Sequence, residues 1–431
     1  MKKLTLITAT LLATTTLVAQ YNKIDTSFFS EALQETKMVD VYFPPGYDEN
    51  PDWQYPVIYY LHSWNGDQNS VGGMLTFVQS LINYGSIAPV IMVGADNSPE
   101  PFEGNMYVNS PLWGNYEDYM IDDLISWVDA SFRTIPERGG RALLGQSMGA
   151  YGAFRYGILH KDKFTAFAAH AGIVGLSKEL WLDAGRQQVI DENQPGPPFS
   201  YDYSTGGLFT RGTFLMSGAF SPNALTPQGY ISPAAVEYLW DENADYIDSI
   251  YAKWLPFDLS EKVKQLTPAD SVGIYFGCGT NDGFLLYPLN EAMCDTLDAC
   301  GLPYEFYSHT GDHTMPPGFK QGSLIFLDSL LMPSGPMTGI PAGGPSPGFE
   351  FTISPNPVAG VARVRLNANW NKPVKIALFN TTGTCLRNWD LYEGGAGKRE
   401  WLLNLSGYPA GIYFCRVEMN DRHATKKIIK H

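Results

Sequence analysis

Charged residues make up only 17% of this 431-residue chain, and basic residues are the scarcer kind, 29 Lys and Arg against 44 Asp and Glu. The deficit is local. From residue 350 onward there are 12 basic and 6 acidic residues, a balance of +6, so the formal charge of −15 leaves −21 on everything before. A body that acidic repels phosphate backbones, which excludes nucleic acid and other polyanions as partners. Cysteine is sparse as well. Cys278, Cys294, Cys300, Cys385 and Cys415 are odd in number and their spacings match no disulfide framework. Cys294 and Cys300 lie six apart on an expected helix, hence on different faces, while a Cys385–Cys415 bridge stays open. No Cys or His cluster has ligand spacing, so a zinc site is not expected. Long apolar runs are missing too. Leu4 to Val18, behind Met1-Lys2-Lys3, is short and threonine-rich. It reads as the core of a secretory signal peptide over residues 1–19, with the mature chain opening near Gln20, and not as a membrane span.

What the chain does contain is enough apolar matter, 44% of residues, to fill the cores of two or three domains. Near-continuous apolar runs of strand length recur at residues 56–61, 89–94, 142–144, 164–171 and 271–278, preceded by alternating runs at 28–33 and 37–43 and followed by one at 304–309. Helical spacing appears between them at 119–132, 150–159 and 289–300, and again at 322–331. Alternation of this kind predicts an α/β fold with a doubly wound, mostly parallel sheet, whose site lies at the carboxyl ends of its strands. Those ends are the loops after Leu61, Leu144, Cys278 and Ser308.

The loop after Leu144 holds Gly145-Gln146-Ser147-Met148-Gly149, with a strand before it and a helix-compatible run after it. Gly-x-Ser-x-Gly in a strand–turn–helix setting lifts a serine hydroxyl above the sheet edge, and side chains two residues either side would collide with strand and helix. Ser147 is the expected nucleophile, and the Met148 amide, at a helix N-terminus, an expected oxyanion donor. A serine needs a base held by an acid, in the chain order Ser, Asp/Glu, His. The loop after Cys278, Gly279-Thr280-Asn281-Asp282-Gly283, offers Asp282 ahead of Glu291 and Asp295, which fall within the next helix. His309-Thr310-Gly311-Asp312-His313 offers two histidines, and His313, in the glycine-containing loop where an imidazole can swing over the sheet edge, is the expected base ahead of His309, which is still at the strand end. The second oxyanion donor is expected at the Trp64 amide, with His62 shaping that loop.

Residues 175–256 lack clear strands and read as an insertion over the strand ends, its Trp181, Trp240 and Trp254 read as exposed rings able to stack on sugars or to pack in a small core of their own. Residues 333–349 form a Pro/Gly linker, and 350–431 carry short alternating strands that predict a small β-sandwich. The expected divisions are therefore 1–19, 20–332, 333–349 and 350–431.

Four stretches together resemble the putative-esterase family of α/β-hydrolases, which includes esterase D and the feruloyl and acetyl-xylan esterases. They are residues 55–62, 128–134, 141–149, and 279–282 taken with 311–313. The resemblance implies a serine carboxylesterase without metal or organic cofactor. Its expected substrates are simple esters, or acetyl and feruloyl groups on plant polysaccharides. His62-Ser63 stands where the family commonly has His-Gly, and Ala150 where it has a second glycine. A peptidase or acyltransferase on the same fold is the alternative chemistry, and a non-catalytic surface binder the alternative class. Residues 354–357, 405–413 and 426–430 resemble the C-terminal sorting domain of type IX secretion, which implies passage through the outer membrane on that machinery.

Overall fold

A computed structural model describes residues 21–336, apart from 202, 204–205 and 230–232, and residues 351–430, apart from six short gaps at 356–357, 371–373, 381–384, 392–394, 410 and 420–421. The expected signal peptide and most of the expected linker lie outside the described residues.

Eight strands build the central sheet: β1 (Asn22–Ser30), β2 (Glu35–Phe43), β3 (Val57–Leu61), β4 (Ile91–Ala95), β5 (Arg141–Gln146), β6 (Ala166–His170), β7 (Gly273–Gly279) and β8 (Glu305–His309). Their order is β1-β2-β4-β3-β5-β6-β7-β8, with the β1–β2 and β2–β4 pairings antiparallel and the others parallel. Val57–Leu61, Ile91–Ala95 and Ala166–His170 are buried at every position, as parallel strands covered by helices on both faces must be. The chain leaves β3 on one side for β4 and returns on the other for β5. That reversal opens a crevice at the carboxyl ends of β3 and β5, where open α/β sheets bind ligands.

The helices that matter are α1 (Gly72–Asn83), the helical run 116–131 with one π turn over Tyr119–Leu124, α2 (Met148–Leu159), α3 (Asp183–Glu192), α4 (Leu208–Phe220), α5 (Asp248–Trp254), α6 (Tyr287–Ala299) and α7 (Pro317–Asp328). Helix α1 was not expected from the sequence, although Met74, Val78 and Leu81 bury at helical spacing. The first strand starts earlier than expected and stops at Ser30. There the Ser30 hydroxyl donates to Asp123 at 2.6 Å, and the Ala32 amide does so at 2.9 Å, which turns Leu33 out of the strand. Helix α7 starts at Pro317, five residues before the expected Gly322, because proline suits the first helical position, where its missing N–H is not needed.

Residues 351–430 form two antiparallel sheets. Strands β9 (Phe351–Ser354), β10 (Val361–Trp370) and β13 (Gly395–Asn404) make one, in the order β9-β10-β13. Strands β11 (Val374–Asn380), β12 (Cys385–Leu391), β14 (Gly411–Met419) and β15 (Arg422–Lys430) make the other, in the order β12-β11-β14-β15. Val364, Leu378, Leu403, Cys415 and Ile428 are among the residues buried between them. Strand β12 was missed in the sequence. All five cysteines are free thiols.

Candidate active site

The chain turns from β5 into α2 through Ser147, at φ 57° and ψ −118°. A positive φ is costly for a residue with a Cβ and persists only where surroundings enforce it. Here the Ser147 amide donates to His170 O at 2.9 Å, and the Ala150 and Tyr151 amides donate to Ser147 O at 3.0 and 3.1 Å. The two glycines are required by distance. A Cβ on Gly145 would lie 2.1 Å from Gly149 O, and one on Gly149 would lie 1.9 Å from Leu61 O. Strand, turn and helix therefore approach to backbone contact, and the α2 N-terminus with the Met148 amide stands beside the serine.

Asp282 follows β7 and His313 follows β8, and the two loops are laced together. Thr280 N donates to His309 O at 2.8 Å, Asn281 N to Gly311 O at 3.1 Å, and Asn281 Nδ2 to Thr310 O at 2.7 Å. A Cβ on Gly279 would fall 2.3 Å from Gly311 O, so this approach also depends on glycine. His313 Nδ1 lies 2.7 Å from Asp282 Oδ2, whose side chain is wholly buried, and the Phe284 amide donates to Oδ1 at 2.8 Å. Burial pushes the Asp282 carboxyl up, but the His313 hydrogen bond and charge, with the Phe284 amide, outweigh it and hold it below its ordinary value. An ionised carboxylate only accepts, so it fixes the proton on His313 Nδ1 and leaves Nε2 as a lone pair. Gln146, next to the serine, donates from Nε2 to His313 O at 3.1 Å. Among the described residues no hydrogen bond joins the Ser147 hydroxyl to His313. Both side chains line one cavity. Such contacts are often long in an empty site and tighten around the substrate.

His309 is engaged elsewhere. Gly311 N donates to its Nδ1 at 3.0 Å, so its Nε2 carries the proton toward His170 Nε2, also at 3.0 Å. Glu291 and Asp295 are exposed on α6. His62 has both ring nitrogens occupied. The Asn97 amide donates to Nε2 at 2.9 Å, leaving Nδ1–H for Ser63 O at 2.8 Å, and burial lowers its pKa.

The loop after β3 carries Trp64. Its backbone is set by Asn65 N donating to Glu103 O and Gly66 N donating to Ser63 O, each at 2.9 Å, and the Trp64 amide lies outside both bonds. A strap, residues 102–107, clamps this loop. Trp64 Nε1 donates to Phe102 O at 3.2 Å, and the Tyr107 hydroxyl to His62 O at 3.0 Å. Glu103, Met106 and Tyr107 all have positive φ, between 50° and 57°. Sequence reasoning missed the strap, since it acts largely through backbone carbonyls that no side-chain pattern encodes.

The cavity has a volume of about 280 Å³. Much of its wall comes from residues 181–254, including Trp181, Trp240 and Trp254. These rings are not the exposed aromatics the sequence suggested. They are 5%, 3% and 0% exposed, and Trp240 and Trp254 pack edge-on against Tyr246 and Phe220. The insertion thus buries its aromatics in a core continuous with the sheet's.

The sheet order and the strand–serine–helix crossing define an α/β-hydrolase. Residues 30–313 match the family described as Putative esterase, well over half of the chain, and the chain belongs to that family. Residues 352–431 match the Secretion system C-terminal sorting domain, which marks the chain for type IX export to the cell surface or the medium. An esterase of Mycobacterium tuberculosis is 28% identical over 155 residues, 36% of this chain and 33% of that protein. A Xylanibacter ruminicola protein named endo-1,4-β-xylanase/feruloyl esterase is 30% identical over 129 residues, 28% of this chain and 18% of that one. The chain thus spans a third or less of the length of these curated relatives. A solved ferulic acid esterase superposes with a TM-score of 0.50 at 20% identity, covering 73% of this chain and all of that one, which supports the fold.

Proposed function

We propose that the chain is an exported serine carboxylesterase in which Ser147 is the nucleophile, His313 the base and Asp282 the orienting acid. The observation that carries this is the 2.7 Å His313–Asp282 pair, on the wall of the cavity that also holds the left-handed Ser147. His313 Nε2 takes the hydroxyl proton as Ser147 Oγ attacks the ester carbonyl. The tetrahedral oxyanion is held by the Met148 and Trp64 amides, where donors are worth roughly 3–4 kcal/mol each. Collapse expels the alcohol with the proton from His313, and water repeats the cycle on the acyl-enzyme. Asp282 stays ionised throughout and balances the imidazolium. The substrates are small esters or acylated plant polysaccharides.

The test is hydrolysis of a chromogenic short-chain ester by purified variants. Ser147→Ala and His313→Ala should each lower kcat by about 10⁶ and Asp282→Asn by about 10⁴, orders taken from serine proteases. The double variant Ser147→Ala/His313→Ala should be no worse than either alone. An active Ser147→Ala enzyme would end this reading, as would a peptide amide cleaved faster than the matching ester.

A further inference from the structure

The cavity beside Ser147 and His313 holds about 280 Å³. A dry cavity of about 150 Å³ suffices for a benzene ring, so this one has room for nearly twice that. Its polar side chains belong to the nucleophile turn and the adjoining loops: Ser63, Asn65, Ser147 and His313. Thr213, the exception, directs its hydroxyl to Phe209 O at 2.9 Å within its own helix.

The rest of the wall carries four indoles, and none offers its N–H to the cavity. Trp64 Nε1 donates to Phe102 O, Trp181 Nε1 to Phe284 O at 2.8 Å, and Trp254 Nε1 to Ser221 Oγ at 2.9 Å. Trp240 Nε1 has no hydrogen-bond partner among the described residues, but it is enclosed without accessible surface, so a group in the cavity cannot reach it. The side chains of that wall are therefore aromatic and aliphatic apart from Thr213, and a polar group brought there finds no free side-chain donor and one hydroxyl oxygen at most.

We infer that the acyl half of the substrate is a hydrocarbon group of roughly ten carbons without a distal hydroxyl, such as a medium alkanoyl or an unsubstituted aryl-propenoyl chain. This rests on the serine-esterase reading and narrows its acyl group. Acetyl leaves most of the cavity unfilled. A 4-hydroxycinnamoyl group fills it but buries a phenol that exchanges its water partners for one hydroxyl oxygen at most, a loss on the order of tenfold in kcat/KM.

The experiment compares p-nitrophenyl acetate, octanoate, cinnamate and 4-hydroxycinnamate with the full-length protein. Octanoate and cinnamate should exceed acetate in kcat/KM by about tenfold or more, and cinnamate should exceed its hydroxylated form by about tenfold. Acetate as the best substrate, or parity between the two cinnamates, overturns the inference. Gly212→Leu gives a second readout. Gly212 lines the cavity, and a Cβ there meets only Trp64 Cζ3, at 4.0 Å, so the longer side chain enters the open volume. The octanoate-to-acetate ratio should fall at least about tenfold, and an unchanged ratio in the folded variant counts against the pocket. Ser147→Ala separates the two levels. If it is inactive on all four esters while the wild-type panel is flat, only the acyl assignment fails. If it is active, the serine reading fails with it.

Discussion

The histidine behind the Ser147 turn sets an acid limit on stability that can be worked out in advance. His170 has no exposed surface, and its carbonyl holds the Ser147 amide. Its ring stacks on His309 at 5.3 Å and meets Phe319 edge-on at 4.8 Å. With His309 Nε2–H donating to its Nε2, the His170 proton sits on Nδ1, which is buried without a partner. A second proton would set two N–H donors face to face. Burial first, then the charges of His309 and His313, push its pKa down to about 3, against the smaller opposing pull of Asp282 and Asp312. The unfolded chain binds that proton near pH 6.5, so between about pH 6.5 and 3 the unfolded state holds one proton more. Stability contributed above pH 6.5 is therefore lost as pH falls, at about 1.4 kcal/mol per unit, which amounts to about 2 kcal/mol between pH 7.5 and pH 5. The perturbation is His170→Gln, which keeps a polar end toward His309 and cannot titrate. Urea unfolding followed by tryptophan fluorescence at pH 7.5, 6 and 5 would read it. Wild type should lose about 2 kcal/mol more than the variant over that range, whatever their offset at pH 7.5. Parallel pH dependences would refute the reasoning.

Other outcomes follow from single contacts. Gly149→Ala places a Cβ 1.9 Å from Leu61 O, so it should destabilise by about 3 kcal/mol or prevent folding, whereas Gly73→Ala, with nothing within 4 Å, should raise stability by about 0.5–1 kcal/mol. Paired thermal melts decide this, and a benign Gly149→Ala would refute the turn's close packing. Tyr107→Phe removes the donor on His62 O and should lower kcat about tenfold with KM little changed, since the loop it steadies carries the proposed oxyanion donor. Wild-type kcat in that variant would separate the strap from catalysis. Deleting residues 350–431 should leave hydrolysis intact in purified protein and strand the enzyme in the periplasm, as fractionation and an ester assay would reveal.

How much of this was legible depended on whether a feature is carried by a side-chain type. Gly145 and Gly149 could be read because contact distances near 2 Å tolerate no other residue, and that constraint writes itself into the sequence. Asp282 and His313 could be singled out because sheet topology sends functional groups to strand ends. Their 2.7 Å bond could not be read, since it depends on Gly279 letting two loops meet. The strap escaped notice because Phe102 and Glu103 act through their carbonyls. Trp181, Trp240 and Trp254 were misjudged as exposed because an aromatic ring looks the same in sequence whether its neighbours cover it or not. Helix α7 begins before its expected start because Pro316-Pro317 looks like an interruption in the sequence, whereas the second proline opens the helix.

Much of the cavity wall is contributed by chain that departs after His170 and rejoins the sheet at Gly273. Ser147 precedes that excursion, and Asp282 and His313 follow it. On the proposed esterase reading, descendants of this sequence can therefore lengthen, trim or rewrite the excursion and change which substrates fit while inheriting intact the strand registers that set the spacing of the three side chains.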